Sequence, residues 1–299
     1  ARSQSPQGDM RLVYSPDYDV DIGAHVFSPR KFKLVASALS ARAALIEPEL
    51  PSREDLLLVH TPEWVDKLLS ATLSLDEEMK AELRVTPEVA RAHRRHVGGT
   101  MLAARDALRG GVGLHAGGGG HHAFAGHGEG FCLLNDLAVA VRRLQKDGFI
   151  RRAAIVDLDA HQGNGTAALF AGDPEVHTFS MHQEDIYPEH KVLGSQDVGL
   201  PAGAGDALYL ERLAQQLPAV LKHKPELVLY QSGVDGARGD RCGGLDLSAA
   251  GLKTRDELVR DAFGAAGIPV AVTLGGGYAD DIRTTAALHV QTLETFASL

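Results

Sequence analysis

The chain has 299 residues, 44% hydrophobic and 23% charged, enough to bury a sizeable core. Its formal net charge of −9 argues against non-specific nucleic-acid binding, so any encounter with a DNA-associated protein would make that basic protein the substrate. Its two cysteines, Cys132 and Cys242, form no CxxC and read as reduced thiols of a cytoplasmic protein, and no apolar run reaches the ~18 residues of a membrane span. Residues 1–9 are polar, lack an apolar stretch of signal-peptide type, and read as a disordered or non-native tail before a native start at Met10. Residues 10–299 read as one catalytic-size domain without repeats or linkers.

Strand-like apolar runs fall at residues 12–14, 56–60, 112–116, 153–159, 176–181, 227–233 and 269–275. Their interiors are apolar on both alternating positions, the pattern of strands buried on both faces. Helices are expected between them. One opens at Thr86-Pro87-Glu88 and stops at Gly110-Gly111; others span 136–146 and 206–222, start at Ser248, or span 279–296. Strands alternating with helices predict an α/β fold with a mostly parallel central sheet and helices on both faces. Gly-rich stretches at 117–120, 163–165 and 275–277 each follow a strand, where an open α/β sheet carries its site.

Four strand ends carry chemistry. In the first, Asp157, Asp159 and His161 alternate, so they can face one side, and two carboxylates with an imidazole leaving a buried strand need a cation or hydrogen bonds to compensate. In the second, Asp235 follows a strand; alone it reads as a turn or cap residue, and it gains weight as a third ligand. In the third, His121 and His122 follow four glycines and read as ligands, acid/base groups or a neutral surface pair. In the fourth, Tyr278 follows three glycines and reads either as a core tyrosine or as a donor to an oxyanion. Two carboxylates and one histidine suit an open three-ligand site for Zn(II), with Fe(II) or Co(II) also accommodated by so hard a set.

Taken together, these segments resemble the histone deacetylase family. They occur in that family's order: HH, DxDxH, the Asp strand, GGGY. The stretch from Gly128 to Asp136 looks like its GxGFCxxND motif, and His60-Thr61-Pro62-Glu63-Trp64 and Ser180-Met181-His182 also match. Gln162 and Asn164 after the DxDxH run look most like the class IV branch and its bacterial relatives, as, loosely, does the segment from His25 to Lys31.

The resemblance implies an arginase/deacetylase-like fold and a metal-dependent amide hydrolase. Asp159, His161 and Asp235 would bind the metal. His122 would be the general base and acid, with His121 beside it tuned through Asp157, and Tyr278 would donate to the oxyanion. Asp157, with main-chain carbonyls around Asp159, His161, Ser180 and Met181, would hold a structural potassium ion. Gly130 and Phe131 would line the acyl-lysine channel, faced by Tyr187. Asn164 falls beside His122 where class I members carry Asp. Implied ligands are acyl-lysine peptides or proteins, small acetylated amines and hydroxamate-type inhibitors. Neither nucleic acid nor membrane is an expected partner. An arginase-type enzyme with two metals, a non-catalytic acyl-lysine receptor, and a fold without metal are the alternatives.

Overall fold

The computed structural model describes residues 10–298; the expected tail at 1–9 lies outside them. In chain order the elements are β1 (Met10–Val13), α1 (Arg30–Leu39), β2 (Ala43–Ile46), α2 (Arg53–Leu56), α3 (Pro62–Ser70), α4 (Leu75–Ala81), α5 (Pro87–Gly110), β3 (Val112–His115), α6 (Asp136–Lys146) and β4 (Ala153–Asp157). There follow α7 (Asn164–Leu169), β5 (Val176–Gln183), β6 (Gln196–Leu200), α8 (Asp206–Lys222), β7 (Leu227–Gln231), α9 (Ala249–Ala265), β8 (Val270–Thr273) and α10 (Ile282–Ala297).

The strands form one eight-stranded sheet in the order β2-β1-β3-β8-β7-β4-β5-β6, and every neighbouring pair is parallel. Side-chain alternation divides the core. Ala154, Val156 and Leu158 face one side with residues of α1, α8, α9 and α10; Ala153 and Ile155 face the other with residues of α5 and α6. The central strands are therefore apolar on both faces, as a parallel sheet between helical layers requires. Local signals set the helix ends. Thr86 Oγ1 accepts from the Val89 N–H, Pro87 opens α5, and Gly111 ends it at φ 87°. Ser248 caps α9 in the same way. The last helix begins later than expected, at Ile282, because Asp281 caps it.

One expected strand is absent. Residues 56–60 leave α2, where Ser52 and Asp55 form a reciprocal capping box, and turn into α3. Leu56 instead packs with Trp64 and Val65 in a third apolar cluster, so the run is apolar for a reason other than strand burial. Two strands were not anticipated, β2 and β6, and both are sheet edges with partly exposed residues, so neither shows an uninterrupted apolar run. Among the described residues, no helix is long and apolar enough to cross a membrane.

Candidate active site

The carboxyl ends of β3, β4, β7 and β8 are adjacent in the sheet, and the loops leaving them hold the residues singled out above. Asp159 and His161 follow β4, and Asp235 follows β7. One ligand atom from each lies within 4.8 Å of the others, and all three are buried. Each carboxylate is fixed through its backbone contacts: Asp159 Oδ2 accepts from Gly276 N at 2.8 Å, and Asp235 Oδ1 from Ala160 N at 2.8 Å.

The imidazole is equally constrained. His161 Nε2 lies 3.2 Å from the Cys242 carbonyl, to which its N–H donates, and Nδ1 lies 2.9 Å from Asp235 Oδ2 and 3.2 Å from Asp159 Oδ1. Burial lowers the imidazole, but these two carboxylates outweigh it and raise the group well above its ordinary value, so Nδ1 carries a proton as well. A divalent cation placed among these three groups would take over from the Nδ1 proton in balancing the two buried carboxylates. The glycines around the cluster leave no room for a side chain: a Cβ on Gly276 would lie 2.3 Å from Asp235 Oδ2, and one on Gly233 2.2 Å from Asp159 Oδ2. The residues fit a small ion held by one nitrogen and two carboxylates.

The adjacent histidines differ in partner. His121 Nδ1 lies 2.7 Å from Asp157 Oδ2, and His122 Nδ1 lies 2.7 Å from Asn164 Oδ1. Burial lowers His121, but the Asp157 and Asp159 carboxylates outweigh it and raise it to about 9. His122 is held well below the ordinary range by burial and by the neighbouring His121 and His161, against which one amide oxygen is a weak counterweight. One imidazole is thus cationic and its neighbour neutral at physiological pH, the division expected of a general base beside an electrostatic partner.

Tyr278 lines the same cavity as His121, His122, Phe131 and Gly276. The three metal-ligand candidates lie outside this wall, behind Gly276. Burial and the Asp159 and Asp235 charges raise the phenol well above its usual value, so it remains an O–H donor. Its backbone N–H donates to Asp240 Oδ2 at 2.6 Å, while Asp240 Oδ1 accepts from Cys242 N at 2.9 Å. Asp240 thereby ties the Tyr278 loop to the segment that orients His161.

Gly130 and Phe131 adopt positive φ (49° and 66°), and a Cβ on Gly130 would press on His122 Cδ2 at 2.7 Å. The same Cβ would lie 3.0 Å from Tyr187 Cε1, and the Tyr187 ring stands edge-on to that imidazole at 5.0 Å. Ser180 pairs in register with Asp157 across β4 and β5, with Met181 next to it, so the residues expected around a monovalent ion are neighbours. Ser180 Oγ itself lies 2.9 Å from His182 Nδ1.

The sequence pattern does not single out Lys31, Asp240 or Arg255. Lys31 is buried and donates to the Gly275 carbonyl at 2.7 Å, and burial pushes it down to about 8 despite the Asp235 and Asp159 charges. Arg255 is fully buried and donates to the Gly233 carbonyl at 2.5 Å and the Leu158 carbonyl at 3.4 Å, bracing the exits of β7 and β4. Both lie on helices, where a cation normally reads as a solvated face, and no sequence signal marks them.

Residues 25–293 match the family model described as histone deacetylase domain. The chain is similar to Histone deacetylase 2 of Arabidopsis thaliana, 31% identical over 98% of this chain and 80% of the relative. It is also similar to an uncharacterized protein of Picosynechococcus, 43% identical over 93% of this chain and 95% of the relative. Among solved structures, an HDAC homolog complexed with SAHA superposes with TM-score 0.83 and 25% identity, covering 97% of this chain and 84% of the other.

Proposed function

This chain belongs to the histone deacetylase family, and from that premise we propose that it hydrolyses N-acyl amides, most naturally acyl-lysine, at a divalent metal held by Asp159, His161 and Asp235. The observation that carries the reading is the cluster of Asp159, His161 and Asp235, whose ligand atoms lie within 4.8 Å of one another in full burial, with His161 Nδ1 turned to both carboxylates and Nε2 to the Cys242 carbonyl. Zn(II) is the proposed ion, with Fe(II) or Co(II) as chemically suitable replacements. When bound, it supplies Lewis acidity to the amide carbonyl and lowers the pKa of water towards ~7.

The residues supply the rest. His122, neutral, takes the proton of the attacking water and returns it to the leaving amine. His121, cationic and paired with Asp157, stabilises negative charge beside it. The Tyr278 hydroxyl donates to the developing oxyanion. Gly130, Phe131 and Tyr187 form the walls along the acyl-lysine stem. Asp157, with the carbonyls around Asp159, His161, Ser180 and Met181, would hold a potassium ion behind the site. The SAHA complex of the solved homolog supports the expected binding of hydroxamate-type inhibitors here.

The test is acyl release from a panel of acyl-lysine peptides and acetylated polyamines, with and without chelator. Chelator-sensitive release from the peptides supports the reading. Release confined to polyamines would move the substrate to small amines, and a chain that binds the peptides without turnover would be a receptor.

A further inference from the structure

His122 reaches Asn164, and Asn164 in turn reaches a carboxylate. Asn164 Nδ2 donates to Glu129 Oε2 at 3.1 Å, on the side of the amide opposite His122. The same oxygen accepts the Tyr187 hydroxyl at 3.0 Å, and Oε1 accepts from His127 Nε2 at 2.9 Å and pairs with Lys80 Nζ at 3.3 Å. Glu129 is itself pinned: its N–H donates to the Cys132 carbonyl at 3.1 Å and its carbonyl accepts from Cys132 N at 2.8 Å. Burial would raise its carboxyl, but these hydrogen bonds outweigh burial and lower it, so it is ionised.

An ionised carboxylate only accepts hydrogen bonds, so the amide must turn Nδ2 towards Glu129 and Oδ1 towards His122. Oδ1 accepts only, so His122 must carry its proton on Nδ1, and Nε2 is left bare. With the amide reversed, Nδ2 would face the ring and favour the opposite tautomer, which has no lone pair where a base is needed. We propose that Glu129 is a positioning residue that, through Asn164, fixes the His122 proton on Nδ1, and that the same carboxylate sets the channel wall through Tyr187. This rests on the reading of His122 as the general base.

The experiment is nitrogen NMR of the purified protein labelled with 15N-histidine, with His122 assigned by substitution, alongside steady-state kinetics. The native chain is expected to show the Nδ1–H form of His122. Glu129→Ala is expected to mix in the Nε2–H form and to lower kcat by about tenfold, part of the ~10⁴-fold that a misplaced proton costs a histidine base. Glu129→Gln, which keeps an acceptor for Asn164, is expected to retain the native tautomer and kcat within about threefold, part of the same scale. A native Nδ1–H signature in Glu129→Ala overturns the proposal, as does a fall in Glu129→Gln as deep as in the alanine variant. If the alanine variant does not fold, Glu129→Met, which fills the space and offers Asn164 no acceptor oxygen, takes its place, and a native Nδ1–H signature there overturns the proposal. The spectra need no substrate, so a native chain that turns over no amide would defeat the functional reading while the tautomer still decides this one.

Discussion

His121 Nδ1 and Asp157 Oδ2 lie 2.7 Å apart with both side chains buried, so this imidazole sits in an ion pair while its sequence neighbour, His122, does not. His121 is raised to about 9 from 6.5, against burial, by Asp157 and Asp159. A histidine raised in the folded state stabilises the fold fully below its ordinary value of 6.5, and that contribution is lost as pH rises through about 9. In metal-free protein, the stability gap between the native chain and Asp157→Asn is therefore expected to be widest at low pH and to close through this window. Denaturation at a series of pH values checks it; a gap that widens with pH would contradict the pairing.

Tyr278→Phe removes the proposed oxyanion donor and keeps the ring against Phe131, whose centroid is 6.0 Å away. Turnover is expected to fall by roughly 10²–10³-fold with little change in KM. Near-native kcat would remove the phenol from the chemistry.

Asn164→Asp places a carboxylate beside His122 Nδ1 in place of the amide oxygen 2.7 Å away. The His122 pKa is expected to rise, moving the acidic limb of the pH–rate profile upward. Glu129 Oε2, 3.1 Å from the substituted nitrogen, limits the rise because the two carboxylates oppose each other's ionisation. An unmoved acidic limb would argue against His122 as the base.

Arg255 pairs with Asp256 in full burial and donates to the carbonyls that brace the ligand strands. Arg255→Met leaves the Asp256 carboxylate, among the described residues, with the Tyr230 and Thr292 hydroxyls as its side-chain partners. The expected cost is about 3–5 kcal/mol in chemical denaturation. A loss below about 1 kcal/mol, the scale of a surface pair, would show that the pair is replaceable.

The central strands were legible because their two-sided burial leaves an unbroken apolar run, as at residues 153–156 of β4. Edge strands were not: in Gln196–Leu200 only Leu200 is buried, so the sequence there resembles a loop. The run at 56–60 shows the opposite failure, since apolar residues were supplied for packing against α3, and the capping box of Ser52 and Asp55 set the local structure. At the site, residues placed by strand ends and glycine turns were recognisable from order and spacing. Lys31, Asp240, Arg255 and Glu129 act through contacts across 22 to 244 positions of sequence, such as Lys31 with Gly275, and no local pattern encodes these.

The proposed metal-dependent amide hydrolase would hold its ion through Asp159, His161 and Asp235. Its most direct test is to strip the protein with chelator and titrate Zn(II) back while following acyl-lysine hydrolysis and bound metal together. Activity is expected to be lost on stripping, to return in proportion to added ion and to level off at one equivalent, and Asp235→Ala is expected neither to retain the ion nor to recover activity. Hydrolysis that survives stripping, or that needs a second equivalent, would contradict it.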